Sequence, residues 1–587
     1  MNDLAAAAQA WGIESGYFDV FGKYYAARPE TLERLLTAVS GGHERPPELP
    51  AQPEPIEAFQ GDDRKLWALA AQLYALRSRR NWGHGDFTDL GNLIACAAQS
   101  GAAGVGLNPL HALFTDRAEQ ASPYAPNSRV YLNPLYIDVD AVPEFPGLEE
   151  AGLAAEVAAL RGTDFVDYTR VAAAKLRGLT LAHANFRTNA TAERRADFEA
   201  YRHEQGEALL RFACFEVLRC KYPAPWTEWP QPWRSPDRVQ LRRFRRANQE
   251  GCEFHEFMQW IADRQLAACA KAARHHGMPV GLYIDLAVGI DRHGADAWSQ
   301  QDAVLADVSM GAPPDELNRG GQDWGLAPFN PHALPNDDFK SVRLMMRAAM
   351  RHAGAVRLDH VLGLQRVFMI PLGRGAVDGT YVRFPFHHLL RVVAEESRRL
   401  KCVVVGEDLG TVPEHFRETL TRWGLWCYRV MLFEREGDGR FTPPEAYPAG
   451  AVATFSTHDL PTFRGWLEMY DLAVKRGIGV DPGENDDARA WAHKKLHEIL
   501  SERVPAWRNY EIAAVAAFLA QTPSRLVVMS IEDMLGERDQ VNIPGTTDQH
   551  PNWRRKLPVL LEELGEQEDF RRVVEAFEQG GRRYRSE

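Results

Sequence analysis

The sequence predicts an α/β protein built as a (β/α)8 TIM barrel, with large, mostly helical insertions and a short helical segment ahead of it. Three observations lead to that fold. From about residue 70 onward, short runs rich in Val, Ile and Leu alternate with amphipathic stretches of helical period. Eight such runs occur, the count a closed barrel of this kind uses. Each is apolar at successive positions, as a parallel strand covered on both faces must be. A doubly wound open sheet is the other architecture the alternation admits.

The elements follow in order. Residues 1 to 42 carry helical spacing, as in PETLERLLTAVS, where Leu32, Leu35 and Leu36 share a face. The stretch GGHERPPELPAQPEPIEAFQ holds five prolines and reads as an extended linker, so residues 1–60 form an N-terminal segment and 61–587 the barrel. The eight strand candidates are QLYAL (72–76), GVGLN (104–108), PVGLYIDL (279–286), AVRLDH (355–360), CVVVGEDL (402–409), CYRVMLFE (427–434), AVATFS (451–456) and RLVVMSIE (525–532). Most follow a helical stretch, such as FHHLLRVVAEESRRL before the fifth. The gap from residue 137 to 278 holds Ala-rich helical segments and the cluster YPAPWTEWPQPW; an insertion that long forms a helical subdomain over one barrel face.

Composition narrows the function classes. The chain is 45% apolar and 25% charged, the balance of a folded protein with a sizeable core. A formal net charge of -12 argues against nucleic acid as a partner, since phosphate binding needs a concentrated basic face. The basic runs RRFRR (Arg242 to Arg246) and RRYRS near the C-terminus are short and read as solvated helix faces. Seven scattered cysteines without a CxxC pair signal neither a zinc site nor a disulfide framework and fit a reducing, cytoplasmic setting. The opening MNDLAAAAQAWG has an acidic residue where a signal peptide is basic, and no apolar stretch is long enough to span a membrane.

Charges at the strand ends carry the functional argument. Barrel enzymes of this type place reacting groups at the C-terminal ends of strands. Asp359 ends the fourth candidate, Glu407 and Asp408 the fifth, and Asp459 the seventh, with His360 and His458 beside two of them. Any one of these acids could be a helix cap; three at neighbouring strand ends point to paired-carboxylate chemistry. Retaining glycosidic cleavage needs a nucleophilic carboxylate and a protonated carboxyl about 5 to 5.5 Å apart, which adjacent barrel strands can supply. Arg357, two residues before Asp359 on the same strand face, is placed to keep the nucleophile ionised. The HD pairs lack the ligand set a catalytic zinc requires, so neither metal nor cofactor is expected.

AVRLDHVLGLQRVFMIP, YVRFPFHHLLRVVAEESRRLKCVVVGEDLGTVP and FSTHDLPTFRGWL resemble, in sequence and order, segments of the 4-α-glucanotransferases (amylomaltases, or disproportionating enzymes) of the α-amylase superfamily. GLNPLHALF, ASPYAPNSRVYLNPLYIDV and GGQDWGLAPFNP resemble further segments, so the likeness spans residues 72 to 556. The resemblance implies transfer of α-1,4-glucan segments between maltooligosaccharides, with starch- or glycogen-derived α-glucans as partners and no nucleic acid, membrane or obligate protein partner. It implies Asp359 as nucleophile of a covalent glycosyl-enzyme, Glu407 as general acid/base and Asp459 as transition-state stabiliser. Arg357 and His458 would hold the nucleophile and the central sugar, Tyr124 would be an aromatic platform, Gln322 and Trp324 an acceptor-side loop, and Asn542 and Asp533 would lie near the bound chain. The plainer alternatives are core packing for Tyr124 and Trp324 and loop bracing for Asp533. Two segments depart from other branches: His293 stands where an acid is found, and SPYAPNSRVY differs from SPYQSFSAF. A retaining α-glucan hydrolase and a non-catalytic glucan-binding protein are the competing classes.

Overall fold

The computed structural model describes residues 2–18, 22–314, 320–507 and 512–584. Eight parallel strands lie in one sheet: Leu66–Ala71, Gly104–Leu107, Gly281–Leu286, Ala355–Leu358, Val403–Gly406, Cys427–Val430, Ala451–Thr454 and Leu526–Ser530. Their spatial order is five, four, three, two, one, eight, seven, six. A parallel bridge between Val405 and Trp426 joins the fifth strand to the sixth, with the Trp426 amide donating to Val404 O at 2.9 Å, and the sheet closes into the expected barrel. The strand interiors are buried almost throughout, which is why none of the eight shows polar alternation.

One strand lies elsewhere than the sequence suggests. The first is Leu66–Ala71, whereas QLYAL holds a 3-10 turn, Leu73–Ala75. LWALAAQLYAL is apolar from end to end, so hydrophobicity does not mark where the strand stops. Long-range partners do: Leu66 to Ala70 pair with Leu526 to Ser530, and the Leu73 amide is then captured by the Asn108 side-chain oxygen at 2.9 Å. The other seven strands fall inside their candidate runs.

Beside the barrel stands a four-stranded antiparallel sheet, ordered Gln322–Asp323, Val308–Ala312, Arg366–Pro371, Thr380–Arg383. The N-terminal residues form helices Asn2–Ala10 and Pro29–Ser40 with a strand pair, Gly16–Phe18 and Tyr24–Ala26, between them; strands of three residues are too short to leave a periodic signal. Between the second and third barrel strands, helices Tyr168–Asn189, Ala192–Lys221 and Gln249–His275 pack through Phe186, Phe198, Phe257 and Trp260. No helix among the described residues is long and apolar enough to cross a membrane.

The second basic run is not the solvated helix face its charge suggests. Arg582 follows the last helix, Glu568–Gln579, and is fully buried at the opening of the first and eighth strands. Its guanidinium donates to Leu66 O, Ala520 O, Thr522 O and Ser524 O at 2.6–3.0 Å, replacing hydration with carbonyl dipoles. Arg585 and Ser586 of that run lie outside the described residues. In the first run Arg242, Arg243 and Arg246 are exposed, as expected.

Candidate active site

The site grows from strand register. Arg357 on the fourth strand lies opposite Asp285 on the third and Val405 on the fifth. Neighbours on one face of a parallel sheet are close enough for a bidentate pair, and Arg357 Nη1 reaches the two Asp285 oxygens at 2.8 and 2.7 Å. The second guanidinium nitrogen then points at the strand's C-terminal end, where Asp359 Oδ1 sits 3.0 Å away. The same nitrogen is 4.0 Å from Glu407 Oε2. Asp359 and Glu407 therefore face each other across one cation, their oxygens no further apart than those two distances combined.

Backbone geometry fixes Glu407. His360 turns the chain out of the fourth strand in the left-handed conformation (φ 47°), which aims its amide at Glu407 Oε2, 2.8 Å away. The Leu409 amide donates to Oε1 at 3.0 Å. Asp359 has a weaker hold, a 3.4 Å approach from the Val288 amide. Burial pushes the Asp359 carboxyl up to about 6 against the pull of Arg357. Burial likewise raises Glu407, outweighing Arg357 and the two amides. Asp408, the adjoining acid, is committed to structure, accepting from Arg417, Arg429 and the Tyr428 amide.

Asp459 joins through an aromatic and hydrogen-bonded chain. Tyr124 donates to Asp285 Oδ2 at 2.5 Å and stacks on His458, ring centres 4.9 Å apart. His458 Nε2 lies 3.4 Å from Asp459 Oδ2, and Asn542 Nδ2 donates to Asp459 Oδ1 at 2.6 Å. Burial opposes charge on both groups, yet the contact prevails: His458 is raised and Asp459 lowered, so each favours the other's ionised form. Asp459 is the most open of the three acids, its side chain 44% exposed against 17% for Asp359. A cavity of about 90 Å3 at the same end of the barrel is lined by Asp285, Arg357, His458 and Asp533.

The remaining candidates divide. Trp324 sits edge-on to His360 at 5.2 Å and donates to Gln322 Oε1 at 3.2 Å, which puts the indole against the residue that follows Asp359. Both oxygens of Asp533 are occupied by the protein, one by the Phe463 amide at 2.7 Å and one by Ser530 Oγ at 2.9 Å; burial raises it to about 6. His293 is held in its loop by its amide, which donates to Asp291 Oδ1 at 2.7 Å. Sequence reasoning overlooked Asp285, although a carboxylate inside the otherwise apolar YIDL was a visible signal, and Trp553, whose ring lies 5.5 Å from Tyr124 and 5.3 Å from His458. Nothing in the local sequence around Trp553 marks it.

Comparison with known proteins adds the family. The sequence profile of the 4-alpha-glucanotransferase family matches residues 71–562. The 4-alpha-glucanotransferase of Mycobacterium tuberculosis is 37% identical over 535 residues, 85% of this chain and 73% of that protein. That of Haemophilus influenzae is 35% identical over 541 residues, 86% of this chain and 77% of the other. Among solved structures, amylomaltase from Corynebacterium glutamicum superposes with a TM-score of 0.83 at 28% identity, covering 98% of this chain and 99% of that one.

Proposed function

The chain belongs to the 4-alpha-glucanotransferase family, glycosyltransferases acting on α-1,4-glucans, and from that premise we propose that it moves glucan segments between maltooligosaccharides by a retaining double displacement on Asp359 and Glu407. In the first step Asp359 attacks the anomeric carbon while Glu407 protonates the departing 4-oxygen, leaving a glycosyl ester on Asp359. In the second, Glu407 as carboxylate takes the proton of an acceptor 4-hydroxyl, which attacks the same carbon and frees Asp359. Retention follows from two inversions.

Each neighbour has a physical task in this reading. Arg357, closer to Asp359 than to Glu407, favours ionised Asp359 beside protonated Glu407, the pairing the first step needs. Asp459, charged beside His458 and half-open, accepts hydroxyls of the sugar ring and stabilises its oxocarbenium-like distortion, with Asn542 fixing its orientation. Tyr124 supplies an apolar ring face held by Asp285, and Gln322 with Trp324 forms the acceptor side. Asp533 acts from below by tying the loop that follows the seventh strand to the eighth.

The observation that carries this is the single Arg357 guanidinium shared by Asp359 and Glu407. Incubation with maltotriose is expected to give free glucose and a ladder of longer oligosaccharides. Glucose and maltose alone would place the protein among hydrolases. Asp359→Asn is expected to abolish turnover while glucan binding persists, and Glu407→Gln to slow it by about 10²- to 10⁴-fold; undiminished activity in Asp359→Asn would refute the assignment.

A further inference from the structure

The N-terminal segment lies against the structure that presents Trp324. Residues Gly12 to Glu14 lengthen the four-stranded sheet: the Arg383 amide donates to Gly12 O at 2.9 Å, the Glu14 amide to Tyr381 O at 2.8 Å, and Ile13 bridges Val382. One face of that sheet is covered by the N-terminal helices. Trp11, Leu32, Leu35 and Val39 form a continuous buried cluster with Val308, Met310, Leu326 and Val367, and Trp324 packs against it.

Contacts fall on both sides of the indole. Before it, the paired strands Val308–Ala312 and Gln322–Asp323 approach closely, since a Cβ on Gly311 would stand 2.0 Å from Gln322 O, and the Trp324 amide donates to Met310 O at 2.9 Å. After it, Asn330 Nδ2 donates to Val39 O at 3.0 Å, while His332 Nε2 donates to Trp11 O at 2.9 Å and its ring meets the Trp11 indole edge-on at 4.8 Å. The chain after Trp324 is thus gripped by residues about 300 positions earlier, and Val308 and Met310 before it share their buried cluster, far more than closing a barrel requires.

We propose that the N-terminal segment is a specificity device: Trp11 and Leu35 are positioning residues that hold the Trp324 indole over the acceptor side and so decide how often a sugar, rather than water, completes the reaction. The inference rests on the acceptor role given to Trp324 above. A loosened indole leaves glycosyl-enzyme formation untouched, because Asp359, Glu407 and Arg357 are held by barrel strands. It weakens only the orientation of the incoming 4-hydroxyl, a demand that water does not share.

The test separates the two half-reactions in Trp11→Phe and Leu35→Ala, with Leu35→Val in place of the latter if it does not fold. An activated glycosyl fluoride donor reports the first half-reaction, expected to stay within about twofold, and the KM for maltose as acceptor is expected to rise about tenfold, with a larger share of turnover ending in water. Val573→Ala, which opens a cavity beneath the last helix in a core cluster separate from that of Trp11 and Leu35, lowers the melting temperature without moving either quantity. If the N-terminal variants behave as Val573→Ala does, while Trp324→Ala raises the acceptor KM, the brace is refuted and the acceptor role stands. If Trp324→Ala leaves acceptor KM unchanged, the acceptor role fails and takes the brace with it.

Discussion

At the scale of single residues, the division of labour proposed for two buried carboxyls follows from their distances to one guanidinium. Arg357 stands 3.0 Å from Asp359 and 4.0 Å from Glu407, so its charge favours ionisation of Asp359 more than of Glu407. With Asp359 as the proposed nucleophile, its raised value, about 6, predicts an acidic limb in the rate profile: as pH falls through that value the carboxylate gains a proton and activity is expected to be lost. With Glu407 as the proposed acid, activity is expected to fall on the other side as rising pH removes its proton, and burial moves that loss upward from the ordinary carboxylate range. Arg357→Met removes the charge that opposes burial at Asp359, so the acidic limb of kcat/KM is expected to move up by about one pH unit or more. An unmoved limb, measured with enzyme shown to be folded, would mean that Asp359 does not govern it. Asp359, Glu407 and Asp459 were legible in sequence because chemistry-bearing residues end apolar strands. Asp285 was passed over although its charge inside an apolar strand was visible, because its role comes from register with Arg357, and Trp553 was not recoverable, because its partners Tyr124 and His458 are distant in sequence.

At the scale of elements, seven of eight strands could be placed from local pattern, and the eighth shows where pattern stops. An unbroken apolar stretch such as LWALAAQLYAL contains several equally good strands, and only pairing with Leu526–Ser530 selects one. The antiparallel sheet beside the barrel escaped for the opposite reason: its strands run from two to six residues and none carries a sustained alternation. Arg582 is a third case, in which charge predicts exposure and long-range structure overrules it. With its guanidinium shared among four backbone carbonyls and no carboxylate at hand among the described residues, burial brings it down to about 9. Arg582→Met leaves those carbonyls without donors and is expected to reduce unfolding free energy by on the order of 3 kcal/mol. Chemical denaturation measures this; the folded fraction keeps normal turnover, since the residue sits at the N-terminal ends of the strands. A variant as stable as the parent would show that Arg582 is dispensable to barrel closure.

At the scale of the whole molecule, the relevant fact is a mismatch between a charged protein and the uncharged ligand proposed for it. The chain carries a net charge of -12, and the rim of the barrel gathers Asp285, Asp359, Glu407 and Asp459 around Arg357 and His458. A glucan chain has no net charge, so the molecule's field exerts no first-order pull on its approach, and capture depends on shape, hydroxyl contacts and aromatic faces. The pairs that set the chemistry are sheltered, Arg357 being 11% exposed and Asp359 17%, which keeps mobile ions from standing between them. Raising ionic strength from about 0.01 M to about 1 M shortens the screening length from about 30 Å to about 3 Å. Over that range kcat/KM for maltotriose disproportionation is expected to change by less than about twofold. Initial rates in a sodium chloride series at fixed pH provide the measurement. A tenfold trend in either direction would require a charged substrate, or a charged element that must move before the sugar can enter, and neither belongs to the capture of neutral glucose units proposed for this barrel.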